Sequence, residues 1–147
     1  MSLLGALLLD KDAMIRIADL IRTEDFYKDA HARIFDAMLY LYSKHEPIDI
    51  LSLGNRLTET NLLESIGGRT CLMELANAVP SSSHILHYAQ IIQKKATLRR
   101  LINAASDIVS LGFEEAEDVE MLLDQAEQKL FGMTGRGSRG RGGEGVK

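Results

Sequence analysis

The sequence predicts an all-α protein with a small globular helical head followed by a protruding antiparallel helical hairpin. No stretch alternates apolar and polar residues as a half-buried strand would. Residues 81–111 contain neither glycine nor proline, and their apolar side chains recur at steps of three and four, which is the period of an α-helix. We therefore expect the head over residues 1–80, the hairpin over residues 81–132 and a flexible Gly/Arg-rich linker or tail over residues 133–147.

The head is predicted to contain five short helices. The first covers residues 2–9, where Gly5 would allow a neighbouring helix to approach closely. A second follows Asp10, and a third is expected over about residues 29–44. The last two helices of the head follow at residues 49–58 and 69–79.

The fourth helix has the clearest start signal in the head. Asp49 is a good N-cap residue, and Ile48 before it would pack on Leu53 as a hydrophobic staple. The fifth helix follows Gly67 and Gly68, a glycine pair suited to left-handed backbone.

The hairpin begins with one long helix that ends near Gly112. At 1.5 Å per residue it would be roughly 45 Å long, whereas a compact body of about 80 residues is only some 25–30 Å across. Part of the helix is therefore expected to project. We assign its apolar residues to one side, namely Ile85, Tyr88, Ile92, Ala96, Leu98, Leu101, Ile102, Ala105, Ile108 and Val109.

A return helix is expected after a loop of about six residues, which implies an antiparallel pair. The acids at residues 114–118 suit its N-terminus. A return helix of this length hides less apolar surface than the long helix offers, so the hairpin is predicted to associate with other protein chains. The predicted self-association residues of the hairpin are Leu98, Ile102, Ala105, Ile108, Val109, Leu122 and Ala126.

The two arms of the hairpin carry opposite charges. Lys95 and Arg99 lie on the long helix, and Glu120, Asp124 and Glu127 lie on the return helix. These charges are either ordinary solvated faces, each exposed pair contributing under ~1 kcal/mol, or they set the register of helix contacts between subunits.

Catalytic, cofactor and metal motifs are missing from the sequence. No G-x-x-x-x-G-K-[ST] occurs, so no nucleotide hydrolysis is expected of this chain. Gly135, Gly137 and Gly140 satisfy G-x-G-x-x-G but no strand precedes them. His84 and His87 lie one turn apart without a third ligand, so we expect no metal site.

Charge and cysteine content narrow the class of protein further. The net charge of −4 divides into −7 for residues 1–133 and +3 for the tail, which disfavours a duplex-DNA binder. A single cysteine, Cys71, fits a reducing cytoplasm. No apolar run is long enough to span a membrane. The tail's RGRGG is either a weak nucleic-acid contact, a linker to a further domain, or non-native sequence.

Nine segments in order carry a family resemblance. The segments are LGALLLD, EDFY, AHARIFDAM, EPIDILSL, IGG, ELANAVP, HYAQII, LRRLI and LLDQAEQKLF. With these segments the sequence closely resembles the N-terminal domain of bacterial replicative DNA helicases, the DnaB family, over about residues 2–132. No single segment is a chemical signature, so the specificity lies in their order and spacing.

The resemblance implies a non-catalytic scaffold. In the family, heads and hairpins pair into dimers, and three dimers form the collar of a hexameric ring. This collar receives the C-terminal domain of primase, and a helicase loader is a further candidate partner. ATP, Mg²⁺ and most of the DNA contact would belong to a RecA-like motor domain of the parent protein, which would act in the cytoplasm with the replication machinery at the nucleoid.

The resemblance also adds one head residue to the candidate site. Cys71, Ile102 and Ile108 fall where primase or subunit contacts are expected, with packing inside the molecule as the alternative. Cys71 stands where relatives usually have an aromatic residue.

Overall fold

A computed structural model describes residues 2–10, 12–79, 81–114 and 118–139, with side chains up to residue 133. All regular structure in these ranges is helical, which confirms the all-α prediction. The elements are α1 (Ser2–Leu9), α2 (Met14–Ile17), a 3₁₀ turn (Thr23–Asp25), α3 (Asp29–Ser43), α4 (Ile50–Glu59), α5 (Gly68–Asn77), α6 (Ile85–Gly112) and α7 (Val119–Arg139).

The chain divides into two compact units, Met1–Gln93 and Lys94–Lys147, with the boundary inside α6. The first unit contains the hydrophobic core, which includes Ile85, Ala89 and Ile92 from the start of α6. The Gln93 side-chain amide also donates to a carbonyl of this unit, that of Leu20, at 2.8 Å. The sequence-based boundary at residue 80 and the projection of the hairpin stay predictions.

The core of the first unit is built from apolar side chains of α1 to α5 and of the start of α6. Phe26 and Phe35 pack with ring centroids 5.0 Å apart. The largest side chains that are almost completely enclosed are Leu3, Leu4, Leu7, Met14, Ile17, Ile21, Ile34, Phe35, Met38, Leu41, Leu53 and Leu57. This core holds the helices of the first unit together.

A glycine allows α1 and α5 to pack closely. A Cβ added at Gly5 would overlap the carbonyl oxygen of Leu75 and would lie 3.3 Å from Cγ2 of Val79. The close approach predicted at Gly5 is therefore confirmed, because only a residue without a side chain fits against that backbone.

The start signals predicted for α4 and α5 are confirmed. The backbone N–H of Ser52 donates to Asp49 Oδ1 at 2.7 Å, which caps α4. Ile48 and Leu53 are both buried in the same core, as the staple requires. Gly67 and Gly68 have φ of 108° and 74°, so both occupy the left-handed region before α5.

The long helix begins later than its sequence pattern predicted. α6 starts at Ile85 rather than at Ser81. The N–H of Ser83 donates to Ser81 Oγ at 3.3 Å, and the hydroxyls of these two serines are 2.8 Å apart. Such local hydrogen bonds from serine compete with helix formation. The helix ends at Gly112, as predicted.

The predicted tail is only partly described. α7 continues to Arg139, past residue 132, where the hairpin was expected to end. Residues 140–147 of the predicted flexible tail, with Gly140 of the G-x-G-x-x-G match, lie outside the described residues.

Candidate self-association and docking surface

The long helix α6 has two apolar faces rather than one. Residues at one set of three- and four-residue steps are buried, namely Ile85, Ala89, Ile92 and Ala96, with Ala104 continuing the row. A second set is exposed, namely Leu98 (47%), Ile102 (61%), Ala105 and Val109 (58%). The prediction that all apolar residues of the long helix lie on one side is therefore wrong.

Helix geometry explains the second face. Ala96 and Leu98 are two residues apart, which at about 100° per residue turns the side chain roughly 200° around the axis. The row that starts at Leu98 then repeats at steps of four, three and four residues, so it stays on the side of α6 away from Ala96. Ile108 lies between the rows and is half-buried.

The second unit has almost no buried apolar core. Among its described residues, only Ala96 and Ala104 are buried. Between residues 94 and 123, eight large apolar side chains of this unit are instead exposed by 45% or more, namely Leu98, Leu101, Ile102, Val109, Phe113, Val119, Met121 and Leu123. Apolar exposure on this scale within one unit is typical of proteins that bind another protein.

On α7, the predicted site residues face partly inward. Leu122 and Ala126 are half-buried, four residues apart on one face. An ion pair joins the two helices, with Lys129 Nζ 3.5 Å from Asp107 Oδ2 and both side chains about half exposed. Exposed pairs of this kind contribute under ~1 kcal/mol. Nothing in the sequence distinguished this pair from the other surface charges.

The predicted charge register concerns contacts between subunits. Lys95, Glu120, Asp124 and Glu127 are exposed and form no ion pair with other described residues. Arg99 is half-buried. Their role in setting a register stays a prediction.

The remaining candidate, Cys71, lies on α5 in the first unit. Its side chain is half-buried. Burial raises the pKa of the thiol, and the neighbouring carboxylate of Glu74 raises the same pKa further. The thiol is therefore mostly protonated at neutral pH, and the residue acts as a small, partly accessible apolar side chain.

The described part of the chain contains neither a metal-ligand cluster nor a helix that could span a membrane. No group of three or more His, Cys, Asp or Glu residues there is arranged to hold a metal ion. None of the helices there is both long and apolar enough to cross a membrane.

Comparison with known proteins decides the family. The family model for the DnaB-like helicase N terminal domain matches residues 1–94. The chain belongs to this family. A crystal structure of the N-terminal domain of DnaB helicase from Mycobacterium tuberculosis superposes with a TM-score of 0.86 at 36% identity, covering 90% of this chain and 92% of that one.

Several curated relatives are much longer than this chain. The replicative DNA helicase DnaB of Geobacillus stearothermophilus is 38% identical over 135 residues, which cover 92% of this chain but 30% of the relative. The replicative DNA helicase DnaB of a Nostoc species is 41% identical over 133 residues, covering 90% of this chain and 15% of the relative. The chain thus spans less than a third of these DnaB helicases.

A more distant structure shares the fold of the DnaB-like helicase N-terminal domain. It is a DnaB-like replicative helicase whose structure was described together with its interactions with primase. It matches with a TM-score of 0.66 at 23% identity, covering 87% of this chain and 30% of that one. The family model and the Mycobacterium tuberculosis structure confirm the family resemblance predicted from the nine segments.

Proposed function

We propose that this chain is the non-catalytic N-terminal collar domain of a replicative DNA helicase, where it assembles subunits and docks primase. The exposed apolar row of α6, with its neighbours in the second unit, is the observation that supports this proposal most directly. Family membership supports the scaffold role, and the sequence contains no P-loop that would give this chain its own nucleotide hydrolysis.

Self-association is favoured by the amount of apolar surface in the second unit. Burying one large aliphatic or aromatic side chain completely contributes about 1.5–3 kcal/mol. Eight such side chains, each about half exposed, would contribute at most on the order of 7–14 kcal/mol in one copy. This lies within the range estimated for the cost of association, about 4–15 kcal/mol.

In a two-fold symmetric dimer, the gain from apolar burial exceeds the cost of association. An isologous dimer buries the same residues on both copies, which doubles the gain while the loss of translational and rotational freedom occurs once. We therefore propose that two copies pair through their hairpins. Three such dimers would form the collar of a hexameric ring, as the family resemblance implies.

Primase is the proposed heterologous partner. The related helicase described with primase supports this choice, and the C-terminal domain of primase is the segment proposed to bind. The proposed contact residues are Cys71 in the first unit and Ile102 and Ile108 on α6. A helicase loader remains a candidate partner, and ATP and Mg²⁺ are assigned to the motor domain of a full-length parent in the cytoplasm.

Nucleic-acid binding through the tail has no comparable support. The family match ends at residue 94, and the RGRGG segment extends into residues outside the described part of the chain. The scaffold function is therefore the one proposed.

Native mass spectrometry of the chain, alone and with a cognate primase C-terminal domain, tests the proposal. A single chain has a mass of 16.3 kDa, and we expect dimers or multiples of dimers at micromolar concentration. Adding the primase domain should produce a new complex. A strict monomer over the whole concentration range would contradict self-association, and unchanged spectra after addition of primase would contradict docking.

A further inference from the structure

A cleft between α3 and α4 lies entirely within the first unit. Its volume is about 500 Å³, and its walls include Leu39, Tyr40, Arg56, Leu57 and Leu62. A volume of this size falls within the usual range for ligand sites, about 300–1,000 Å³. None of these residues belongs to the surface described above for assembly.

The guanidinium group of Arg56 lies over an aromatic ring in this cleft. Its guanidinium carbon lies 3.5 Å from the centroid of the Tyr40 ring, and Lys44 Nζ lies 5.7 Å from the same centroid. Stacking occupies the face of the guanidinium group and leaves its edge of N–H donors available. Arg56 forms no ion pair with any described residue.

Three other polar side chains around the cleft already have partners. Arg33 pairs with Asp36 at 3.0 Å. The Ser43 hydroxyl donates to the carbonyl of Tyr40 at 2.7 Å. The Thr60 hydroxyl is 3.2 Å from the carbonyl of Arg56. Arg56 therefore supplies the unneutralised charge of the cleft, and the leucines around it supply apolar walls.

This arrangement is complementary to a carboxylate next to an aliphatic side chain. A carboxylate can accept two parallel hydrogen bonds from the edge of an arginine. Because stacking on Tyr40 already restricts the arginine side chain, less conformational entropy is lost when the ligand binds. The aliphatic neighbour of the carboxylate would contact Leu39 and Leu62.

We propose that the α3–α4 cleft binds a short peptide segment of a partner protein through one Asp or Glu carboxylate on Arg56. A nucleic acid is disfavoured because residues 1–93 contain 12 acidic and 8 basic residues, so a polyphosphate chain would be repelled. A small polar metabolite fits less well, because it would need several free polar groups and the cleft offers few.

The test is an NMR titration of the full chain with the blocked tripeptide acetyl-Leu-Asp-Leu-amide. We expect shifts centred on Tyr40, Arg56 and Leu62, with a dissociation constant in the millimolar range that such a small ligand allows, about −4 kcal/mol. The matched peptide with Asn in place of Asp should bind at least ~5-fold more weakly, because the charge-assisted pair is lost.

Protein variants separate the cleft from general charge effects. Arg56→Gln should weaken binding by a similar factor, and Arg56→Lys should restore part of it because it keeps the charge without the planar edge. Arg16→Gln is the control, since Arg16 is exposed and already lies 3.7 Å from Asp10. Its titration should match that of the wild type.

Four results would overturn the proposal. They are no shifts at ~10 mM peptide, equal binding of the Asn peptide, equal shifts from acetate alone, and preferential shifts from a single-stranded oligonucleotide. If the NMR signals of the cleft shift with protein concentration when no peptide is present, the cleft instead binds a second copy of the chain. None of these results bears on assembly through the hairpin, so the two proposals fail independently.

Discussion

Replacing Ile102 with aspartate tests the proposed assembly surface most directly. Ile102 is the most exposed large side chain in the second row of α6, with 61% of its surface accessible in the single chain. In an isologous pair it would be covered on both copies. Ile102→Asp removes this apolar contribution and adds a charge that would have to be buried.

The size of the effect follows from the exposed fraction. Complete burial of an isoleucine contributes about 1.5–3 kcal/mol, so burying its exposed 61% contributes about 0.9–1.8 kcal/mol per copy. Two copies give about 2–4 kcal/mol, a weakening of the dimer constant by about 30-fold to several hundredfold. Desolvation of two aspartates increases this weakening.

The assay is sedimentation equilibrium over a micromolar concentration series, with circular dichroism on the same samples. The helix signal should be unchanged, because an exposed Ile to Asp change costs the helix only a few tenths of a kcal/mol. Asn103→Asp is the control, since it adds the same charge at the adjacent exposed position without removing an apolar side chain. It should leave association within ~3-fold of the wild type.

Two outcomes would refute the reasoning. Equal weakening by both substitutions would show that charge, and not the apolar row, controls association. Loss of helix in Ile102→Asp alone would show that Ile102 supports the fold of the single chain, and the residue would then have to be removed from the proposed interface.

Three further predictions concern the head. Gly5→Ala should destabilise the head by about 1–3 kcal/mol in denaturant unfolding, because the added methyl group overlaps the Leu75 carbonyl. Gly112→Ala is the control and should not destabilise the protein, because there is open space around Gly112. Equal effects of the two substitutions would contradict the close α1–α5 contact. Asp49→Ala should lower the free energy of unfolding by about 1 kcal/mol, because it removes the cap of α4. Asp49→Asn should retain most of the wild-type stability. An unchanged stability of Asp49→Ala would exclude the cap as a stabilising contact. Burial, followed by the positive charges of the amino terminus and Lys28, lowers the pKa of His31 below 6.5. The contribution of His31 to stability is therefore complete above pH 6.5 and declines as the pH falls through and below that value. In chemical denaturation from about pH 7.5 to about pH 5, the fall in unfolding free energy with pH should be smaller for His31→Gln than for the wild type, and an identical fall would exclude His31 as its source.

Local signals accounted for much of the fold. Asp49, the glycine pair before α5 and Gly112 each act on the backbone within a few residues, so their effects could be predicted from the sequence alone. Gly5 was also informative, although the residue it accommodates, Leu75, is far away in the chain. A glycine inside a strongly apolar helix indicates a close contact without identifying the partner.

The site was predicted less completely, because a list of apolar residues does not show how they divide around a helix. The two-residue step from Ala96 to Leu98 was visible in the sequence and would have separated the rows of α6. The stacking of Arg56 on Tyr40 was not visible, since it depends on how α3 and α4 pack. Ion pairs such as Lys129 with Asp107 likewise depend on tertiary geometry.

The second apolar row of α6 has a consequence for temperature. An attraction that comes from removing apolar surface from water weakens on cooling, because it is largely entropic near 25 °C. Assemblies of this chain should therefore be smaller in the cold room than at growth temperature, and they should regain their size on warming. A stock kept on ice is consequently expected to contain a larger fraction of single chains.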